Sequence, residues 1–564
     1  MVFPTNHRCS PLNQIGNTFS NLLQFFIEMT NTIKKVANLK QFFQKPVLSL
    51  AYHPVLLLLA CCLICPMHAS AELNDSERDR IILDFDTYAE ELFTTYQLPG
   101  MAIAITDRDK ILYAKGFGVT SLESKKPVTP DTVFLINSMS KAFTSTVIGS
   151  LVDEEKLSWN DTVISILPDF ALNDSKATRE MTIGDLLVHN SGFWSYDGDL
   201  LVSMGLKPSE IVPKMRYLQM ERPFRSGYGY NNLHYLVAAE VVNKTAGIPF
   251  QESLQERIFT PLGMNNTSTG FAFLSSSPDS GIEYASHHFM SSNGYIPIPM
   301  DKDHLYFEYQ VIGAGGISSN VIDMAKWLRL WLNEGEYEGK RIVKSETVRE
   351  ICRPENAMVS EPGFNLSYAK GWVICRNSTL PYPLIMHNGG TGGMGSSNGF
   401  IPEERIGVVI LSNGGSEGGV ETLVDAFLTM ISDPSNAANV TNISNFGDYS
   451  GPSYPSSPYP EPSNNTIIDP GYLVGTYQND YYGMMNISVD SGAFVAELGP
   501  RPLRMNLTPV NSTAYLFALT PQIKGLPNPD GLFSCSSGPD GRVSMITVLG
   551  LTLPEEPPAT FKWT

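Results

Sequence analysis

The chain has 564 residues, more than one ordinary domain holds, and this length indicates two or three domains. Apolar residues make up 42% and charged residues 17%, which allows a large core and argues against wholesale disorder. The formal net charge of −18 argues against nucleic-acid binding, because an acidic surface repels phosphate backbones.

Residues 1–71 have the layout of a targeting segment. Basic residues precede an apolar run over 55–64, and Ala69-Ser70-Ala71 fits a small-residue cleavage site. Since the run alone is short for a membrane span, a cleaved signal peptide is favoured over an uncleaved anchor. We therefore expect a secreted protein, with a membrane-anchored form as the alternative.

The segment 72–435 mixes helical and strand patterns. Apolar residues at helical spacing predict helices over 81–96 and 324–332. Apolar runs at 101–105 and 111–113 predict two strands joined by a tight turn. This segment also contains three motifs whose side chains could take part in a chemical reaction.

The first motif is Ser138-Met139-Ser140-Lys141, at the start of a helical pattern. Residues three apart lie one helical turn from each other, so the Lys141 amine is predicted beside the Ser138 hydroxyl. Serine is a poor nucleophile until a neighbour accepts its proton, and a buried lysine has a lowered pKa that suits this task. Ser-x-x-Lys also arises by chance in a long chain, so this spacing alone does not establish a site.

The second motif is Tyr230-Asn231-Asn232. In an extended segment the side chains at i and i+2 point the same way, so a phenol and an amide would face one cleft. A tyrosine serves as a general base where cations lower its pKa. Taken alone, the triplet is more typical of a surface turn.

The third motif is the segment 387–393, His-Asn-Gly-Gly-Thr-Gly-Gly, which lies between two apolar runs. A glycine-rich strand end lets the backbone of a ligand approach closely. The segment lacks the spacing and the Lys-Ser/Thr ending of a phosphate-binding loop, so nucleotide binding is discounted.

Residues 436–468 are rich in proline, serine and tyrosine and are predicted to be an extended linker, with a proline-rich binding segment as the alternative. Residues 469–564 carry short strand patterns separated by turn signals, which predict a small all-β domain, either a sheet or a barrel. The predicted strands are 475–477, 484–489, 493–498, 514–518, 531–535 and 543–548.

Glycosylation sequons are dense along the chain, which favours passage through a glycosylating compartment. They begin at Asn74, Asn160, Asn173, Asn243, Asn265, Asn266, Asn365, Asn377, Asn439, Asn442, Asn464, Asn486, Asn506 and Asn511. We therefore expect a glycoprotein.

Cysteine use is light after the targeting segment. A Cys352–Cys375 disulfide is expected, with Cys535 as a free thiol. Zinc spacing is absent from the cysteines and histidines of the sequence, so no metal is expected. His287-His288 is expected to be a solvated loop pair.

The order of the three motifs resembles that of the serine β-lactamase-like superfamily. Tyr-x-Asn follows Ser-x-x-Lys by about 90 residues, and His-x-Gly follows about 155 residues later. The chain is similar to class C β-lactamases, D-alanyl-D-alanine carboxypeptidases, their esterase relatives and animal β-lactamase-related proteins, over roughly residues 80–435. Flanking segments match in order as well: Leu-Leu-Val-His-Asn-Ser-Gly at 186–192, Pro-Leu-Gly-Met at 261–264, Gly-Gly-Ile-Ser-Ser at 315–319 and Lys-Gly-Trp at 370–372.

This resemblance implies an α+β catalytic domain, in which a sheet flanked by helices meets a mostly helical region across a cleft. It implies that Ser138 attacks a carbonyl to form an acyl-enzyme, while Lys141 and Tyr230 handle the proton, either of them as base. Asn232 would hydrogen-bond the substrate's amide or an adjacent polar group. The backbone N–H groups of Ser138 and Gly390 would form the oxyanion hole. No metal or cofactor is required.

Within His-x-Gly, the resemblance makes His387 and Gly389 substrate-binding residues. β-Lactamases of this superfamily generally carry lysine where His387 stands, whereas several of its peptidases and esterases carry histidine. A neutral histidine offers less charge to a substrate carboxylate, which favours a peptidase or esterase over a true β-lactamase. The C-terminal strands weakly resemble a lipocalin-like β domain, which would allow it to cover the cleft, restrict substrate size or mediate oligomerisation.

The sequence therefore predicts a secreted serine hydrolase that acts on a small-molecule or peptide substrate. Three alternatives stay open at this level: a true β-lactamase, a binding protein without turnover on the same fold, and a scaffold that depends on the β domain and the linker.

Overall fold

The structure is a computed structural model that describes residues 73–275, 281–291, 294–391, 393–415, 419–435, 470–511, 513–520, 531–551 and 558–564. These residues belong to one compact unit. None of the helices in these ranges is long and apolar enough to cross a bilayer. The predictions for the targeting segment and the linker fall outside the described residues.

The strands that precede the C-terminal domain occur between residues 100 and 412. They are β1 Gly100–Asp107, β2 Ile111–Gly118, β3 Phe134–Leu135, β4 Ser268–Thr269, β5 His288–Ser291, β6 Gly294–Pro297, β7 Ile317–Ser319, β8 Glu336–Tyr337, β9 Lys340–Arg341, β10 Asn356–Glu361, β11 Phe364–Tyr368, β12 Val373–Asn377, β13 Leu384–Thr391, β14 Met394–Ile401 and β15 Ile406–Ser412. Eight of them form an antiparallel sheet in the order β10-β11-β12-β13-β14-β15-β1-β2. The predicted first pair of strands is confirmed as β1 and β2.

Helices pack on both faces of this sheet, and further helices form a mostly helical region beside it, called the helical region below. The long ones are α1 Asp75–Thr95, α2 Ser140–Asp153, α3 Asn232–Ala246, α4 Val321–Leu332 and α5 Gly419–Ser432. Shorter helical segments are Asn137–Met139, Val163–Ile166, Ser175–Glu180, Ile183–Leu187, Asp199–Ser203, Pro208–Ile211, Val212–Tyr217, Phe250–Leu254, Gln255–Phe259, Thr260–Leu262, Ala272–Ser275, Tyr306–Gln310, Ser345–Ile351 and Pro470–Leu473.

The two faces of the sheet bury different sets of side chains, because successive residues of a strand point in opposite directions. On one face, Met101, Ile103 and Ile105 of β1 pack with α1 and α5. On the other face, Ala102 and Ala104 pack with α2 and α4. The sheet is thus the middle layer of a three-layer arrangement, and α2 is held in the interior.

The expected Cys352–Cys375 disulfide is wrong, since both cysteines are free thiols. Cys352 follows the helix Ser345–Ile351 and packs into the core on the α2 side. Cys375 lies on β12 and is buried in the core on the α1 side. The two side chains therefore point into different layers.

The expectation of a solvated His287-His288 pair is also wrong, because both side chains are fully buried. His288 accepts the Leu122 N–H at Nε2 (3.1 Å) and donates from Nδ1 to the Asn413 carbonyl (3.0 Å). His287 shares a hydrogen bond of 3.1 Å with the Tyr309 hydroxyl. These contacts link the start of β5 to the edge of the main sheet.

An aromatic cluster lies beneath α2. The ring of Phe143 stacks on Trp327 of α4 with centroids 3.8 Å apart. Trp327 then meets Trp331 edge-on at 5.4 Å, and Trp331 meets Trp372 edge-on at 5.1 Å. Because aromatic rings bury large areas and have fixed preferred geometries, this cluster fixes the helix that follows Ser138.

The C-terminal strands close into a barrel. They are β16 Gly475–Asn479, β17 Gly483–Asp490, β18 Ala493–Leu498, β19 Leu503–Asn511, β20 Ala514–Thr520, β21 Gly531–Ser537, β22 Val543–Leu549 and β23 Ala559–Trp563. All six predicted strands are present, and the pairing of β16 with β23 decides for a barrel rather than an open sheet. The sequence analysis missed β19, which is interrupted by a register shift at Pro509, and the short β23.

The barrel docks on the helical region through two of its turns. Lys214 donates to the carbonyls of Asp480 (2.8 Å) and Tyr481 (2.7 Å) in the β16–β17 turn. In the β18–β19 turn, Arg501 donates to the carbonyls of Ser203 (3.2 Å), Lys302 (3.0 Å) and Asp303 (2.8 Å). The guanidinium group of Arg501 also lies 4.6 Å from the ring centroid of Tyr306.

We expect Arg501→Ala to lower the free energy of unfolding by about 2 kcal/mol, because hydrogen bonds from a charged donor are among the stronger ones. Denaturant unfolding measures this change. Arg504→Ala is the matched control, since Arg504 forms ion pairs with Asp490 and Glu497 within the barrel surface. Exposed pairs contribute little. Equal losses in the two variants would contradict a docking role for Arg501.

Candidate active site

Ser138 lies in a single 3-10 turn, Asn137–Met139, directly before α2. Asn137 adopts a left-handed φ of 49°, which is uncommon for a residue with a side chain. Two long-range hydrogen bonds tie the turn to the sheet. The Asn137 amide donates to the Met394 carbonyl (3.2 Å), and the Ser396 hydroxyl donates to the Ile136 carbonyl (2.7 Å). Strained backbone held in this way is typical of functional sites.

Lys141 is the buried amine of the site, with no exposed surface. Its Nζ donates to Ser138 Oγ (3.1 Å), Asn232 Oδ1 (2.9 Å) and the Ala314 carbonyl (2.9 Å). Burial lowers the pKa of Lys141 to about 7, against the opposing effect of the Asp199 carboxylate. At neutral pH a large fraction of this amine is therefore uncharged.

Tyr230 lies over the same amine, with its ring centroid 4.6 Å from Lys141 Nζ. Its hydroxyl lies near Ser138, whose hydroxyl opposes the rise in the pKa of the phenol. Burial and the neighbouring Tyr196 raise the pKa of Tyr230 well above its usual value, so the phenol keeps its proton at neutral pH. The structure thus brings Ser138, Lys141 and Tyr230 together.

The segment that carries Tyr230 is held by His189 of the Leu-Leu-Val-His-Asn-Ser-Gly stretch. His189 is fully buried, and its Nδ1 accepts the backbone N–H of Asn231 (3.1 Å). The Asn231 side chain caps α3 by accepting the Leu233 N–H (3.0 Å) and donates to the Asp197 carbonyl (2.8 Å). Because Asn231 is the N-cap, the extended segment that carries Tyr230 ends at Asn231 and α3 begins at Asn232.

Asn232 uses both ends of its side-chain amide within the protein. Its Oδ1 accepts from Lys141, and its Nδ2 donates to Asp199 Oδ2 (2.8 Å). Burial raises the pKa of Asp199 to about 7, against the effects of Asn232 and Lys141. Of the two partners predicted for Asn232, the adjacent polar group is the one present here.

His387 lies on β13 and is almost fully buried. Its Nδ1 donates to the Asn388 carbonyl (2.5 Å), so its Nε2 accepts from the Tyr368 hydroxyl (2.9 Å). Burial, helped by the positive charge of Lys141, lowers the pKa of His387 to about 3. The ring is therefore neutral at physiological pH, which leaves it without a charge for a carboxylate.

Gly389 and Gly390 follow on the same strand. A Cβ atom on Gly389 would lie 2.7 Å from the Ser138 nitrogen and 2.7 Å from the Ile136 carbonyl oxygen, so only glycine fits. Gly390 is exposed. The pairing of β12 with β13 ends at Met386, whereas β14 pairs as far as Thr391. Among the described residues, no strand pairs with the other edge of β13 beyond Met386, where Asn388 and Gly390 are exposed.

No group of three or more histidine, cysteine or acidic side chains that could hold a metal ion occurs in the described ranges. The arrangement instead offers a serine hydroxyl, a buried amine of lowered pKa, a protonated phenol and a glycine-rich strand edge. These are the parts needed for nucleophilic attack on a carbonyl.

A family model described as Beta-lactamase matches residues 85–427, which is more than half of the chain. The chain belongs to the Beta-lactamase family. The expected β-lactamase/transpeptidase-like α+β fold, followed by an all-β domain, is likewise confirmed. An octameric penicillin-binding protein homologue from Pyrococcus abyssi has a similar fold, with a TM-score of 0.55 and 21% identity over 85% of this chain and all of that one.

Curated relatives include hydrolases and penicillin-binding proteins. An unguisins hydrolase from Aspergillus campestris is 29% identical over 60% of this chain and 63% of its own length. Penicillin-binding protein 4 from Amycolatopsis lactamdurans is 25% identical over 58% of this chain and 84% of its own length. The chain thus matches less than two thirds of the Aspergillus relative.

Two neighbours of the motif residues come from outside the three motifs. Asp199 contacts Asn232 from 33 residues earlier in the chain, and Tyr368 contacts His387 from 19 residues earlier. The sequence analysis missed both. Neither lies in a motif with local spacing, so only the fold brings them to the site.

Proposed function

We propose that this protein is a secreted serine hydrolase that forms an acyl-enzyme on Ser138. One observation carries the proposal: the buried Lys141 amine lies 3.1 Å from the Ser138 hydroxyl, and burial lowers its pKa to about 7. A base of this pKa is matched to work at neutral pH. The hydrolase names of relatives in the Beta-lactamase family support the same reaction class.

Lys141 is the base in this proposal. In its neutral form the amine has one lone pair, which accepts the Ser138 proton as Oγ attacks the substrate carbonyl. The resulting ammonium then donates to Ser138 Oγ, Asn232 Oδ1 and the Ala314 carbonyl, so all three of its N–H groups have partners. Tyr230 does not fit the role of base, because its raised pKa keeps the phenol protonated.

Tyr230 instead relays a proton to the leaving group: its phenol donates its proton to the departing atom and takes one from the Lys141 ammonium, which returns Lys141 to its neutral form. Its hydroxyl lies near Ser138 and its ring lies over Lys141, which supports a role between the base and the departing atom. An amine leaving group needs a proton to depart, whereas an activated ester needs it less. Water then attacks the acyl-enzyme, with Lys141 again as base, and releases Ser138.

The oxyanion hole in this proposal consists of the Ser138 and Gly390 backbone N–H groups. The close fit of Gly389 against Ser138 supports this pair, because a Cβ atom on Gly389 would lie 2.7 Å from the Ser138 nitrogen and β13 therefore runs beside the nucleophile. Removal of one oxyanion donor typically costs about 3 kcal/mol of transition-state stabilisation.

The substrate proposed is a peptide or an ester. His387 is neutral, and its two ring nitrogens are hydrogen-bonded to Asn388 and Tyr368. It therefore supplies no positive charge for a substrate carboxylate. This favours peptidase or esterase activity over β-lactam hydrolysis. Secretion and glycosylation remain part of the proposal because of the targeting segment and the sequon density.

Intact-mass spectrometry after incubation with a fluorophosphonate tests the proposal. The phosphonate accepts the Ser138 oxygen and loses fluoride, which adds one mass increment. We expect one adduct on the wild-type chain and none on Ser138→Ala. Ser140→Ala is the matched control. The one hydrogen bond of the Ser140 hydroxyl among the described residues is the Ile317 N–H that it accepts (3.3 Å), so this variant should keep wild-type labelling.

Labelling of Ser138→Ala at the wild-type level would refute the proposed nucleophile. Absence of any adduct on the wild type, together with ligand binding that survives Ser138→Ala, would support a binding protein without turnover instead. An adduct on wild type followed by hydrolysis of peptide or ester libraries would identify the substrate class.

A further inference from the structure

A chain of three polar side chains runs away from Ser138 into the helical region. Lys141 Nζ donates to Asn232 Oδ1, and Asn232 Nδ2 donates to Asp199 Oδ2 at 2.8 Å. The amide is thereby fixed in one orientation, since its oxygen faces an amine and its nitrogen faces a carboxylate. Asp199 is therefore linked to the Lys141 amine through one intervening side chain, that of Asn232.

Asp199 is placed by its own local structure. It is the first residue of the helix Asp199–Ser203, and Gly198 before it has a left-handed φ of 94°. A Cβ atom on Gly198 would lie 2.2 Å from a Leu233 methyl carbon and 3.0 Å from the Tyr481 hydroxyl of the barrel. Gly198 is thus packed closely between α3 and the β16–β17 turn, which fixes the point at which the helix of Asp199 begins.

The charges around Lys141 make Asp199 its counter-ion. The other titratable groups that face the amine are Tyr230, Tyr235, His189 and His387. Burial raises the pKa of both tyrosines and lowers that of both histidines, so all four are neutral at physiological pH. Asp199 itself is faced by Asn232, Lys141, Tyr230 and Asp197.

We propose that Asp199 is a positioning residue, which acts through Asn232 to hold the Lys141 amine at Ser138 and to set how tightly that amine keeps its proton. The proposal rests on the proposed function, because it assigns regulation of the same base. The negative charge of Asp199 stabilises the protonated form of Lys141. At low pH the amine therefore stays protonated and cannot act as a base. Because the charges of Lys141 and Asp199 interact, the protonation of one depends on that of the other, and they titrate as a coupled pair.

Removal of this charge should shift the pH dependence of serine labelling in a defined direction. In Asp199→Asn the amide can still accept from Asn232, but the ammonium loses its counter-ion. The amine then gives up its proton at lower pH, and the midpoint of the rising limb should move down by roughly one pH unit. A purely structural loss would lower the rate at every pH and leave the midpoint in place.

The experiment measures the second-order rate constant of fluorophosphonate labelling from pH 5 to pH 9 on the full chain. Asp199→Asn and the smaller Asp199→Ser are the neutral variants, and Asp199→Glu keeps the charge. Asp197→Asn is the matched control, because Asp197 is also buried but contacts neither Asn232 nor Lys141 among the described contacts. A thermal melt of each variant verifies that it is folded.

We expect a lower midpoint in whichever neutral variants fold, and a wild-type midpoint in Asp199→Glu. In Asp197→Asn we expect a midpoint that is unchanged or slightly raised, because loss of the Asp197 charge lets Asp199 ionise more readily. An unchanged or raised midpoint in a folded neutral variant would overturn the inference. If Asp197→Asn shifts the midpoint as far as Asp199→Asn, the specific role of Asp199 is refuted. A wild-type chain that never labels would instead refute the proposed function, so the two failures are distinguishable.

Discussion

Replacement of Lys141 by methionine is expected to reduce the rate of Ser138 labelling, and of ester hydrolysis, by about 10²- to 10⁴-fold, the usual range for loss of a general base. Methionine has a similar length and fits an apolar pocket, but it has no lone pair that accepts the serine proton. In the wild type, the rate should rise as the pH passes through about 7, because the neutral form of Lys141 accumulates there. This rising limb should be absent in Lys141→Met.

Lys370→Met is the matched control for this experiment. Among the described residues, Lys370 is the other buried lysine, but its amine pairs with Glu350 (2.9 Å) and Glu355 rather than with Ser138. Its loss should lower the free energy of unfolding and leave the labelling rate per folded molecule near the wild-type value. Comparable labelling by Lys141→Met and the wild type would exclude Lys141 as the base.

Gly389→Ala is expected to lower kcat by about 10²- to 10³-fold, the range seen when an oxyanion donor is lost. The added methyl group would meet the Ser138 nitrogen, the Ile136 carbonyl oxygen and Asn137 Cβ, each at 2.7 Å. These are backbone and Cβ atoms, which cannot move aside cheaply. The strand must therefore shift away from the nucleophile, and the Gly390 N–H moves with it.

Gly227→Ala serves as the control for this substitution. Gly227 lies in the segment that leads to Tyr230, but a Cβ atom there would only touch the flexible Arg222 side chain at 3.5 Å. Its activity should stay within about two-fold of wild type, since ordinary contact carries no strain. A Gly389→Ala enzyme with wild-type kcat would show that β13 does not form the oxyanion hole.

The part of the site that could be predicted from sequence is the part that depends on local geometry. Ser138 and Lys141 are three residues apart on one helical turn, so their contact follows from helix periodicity. Tyr230 and Asn232 were expected to face one cleft, and both contact Lys141 in the structure. The predictions for His387, Gly389 and Gly390 came from the resemblance in motif order and not from local geometry.

The parts that could not be predicted depend on how distant segments meet. The spacing of Cys352 and Cys375 does not reveal which face of the sheet each side chain occupies, and they occupy different ones. His287 and His288 carry the polar character of a loop, yet hydrogen bonds with Tyr309 and Asn413 allow them to be buried. Asp199 has no sequence signal at all, because its role comes only from the approach of Asn232.

The aromatic cluster beneath α2 gives the protein an intrinsic spectroscopic signal. Three of the six tryptophans of the chain belong to it: Trp331 lies in ring contact with both Trp327 and Trp372, and Phe143 joins them to the helix that carries Lys141. Electronic transitions of rings this close are coupled, so the cluster contributes to the near-ultraviolet circular dichroism of the folded chain. We therefore expect this signal to change, without an added label, if an adduct on Ser138 moves α2.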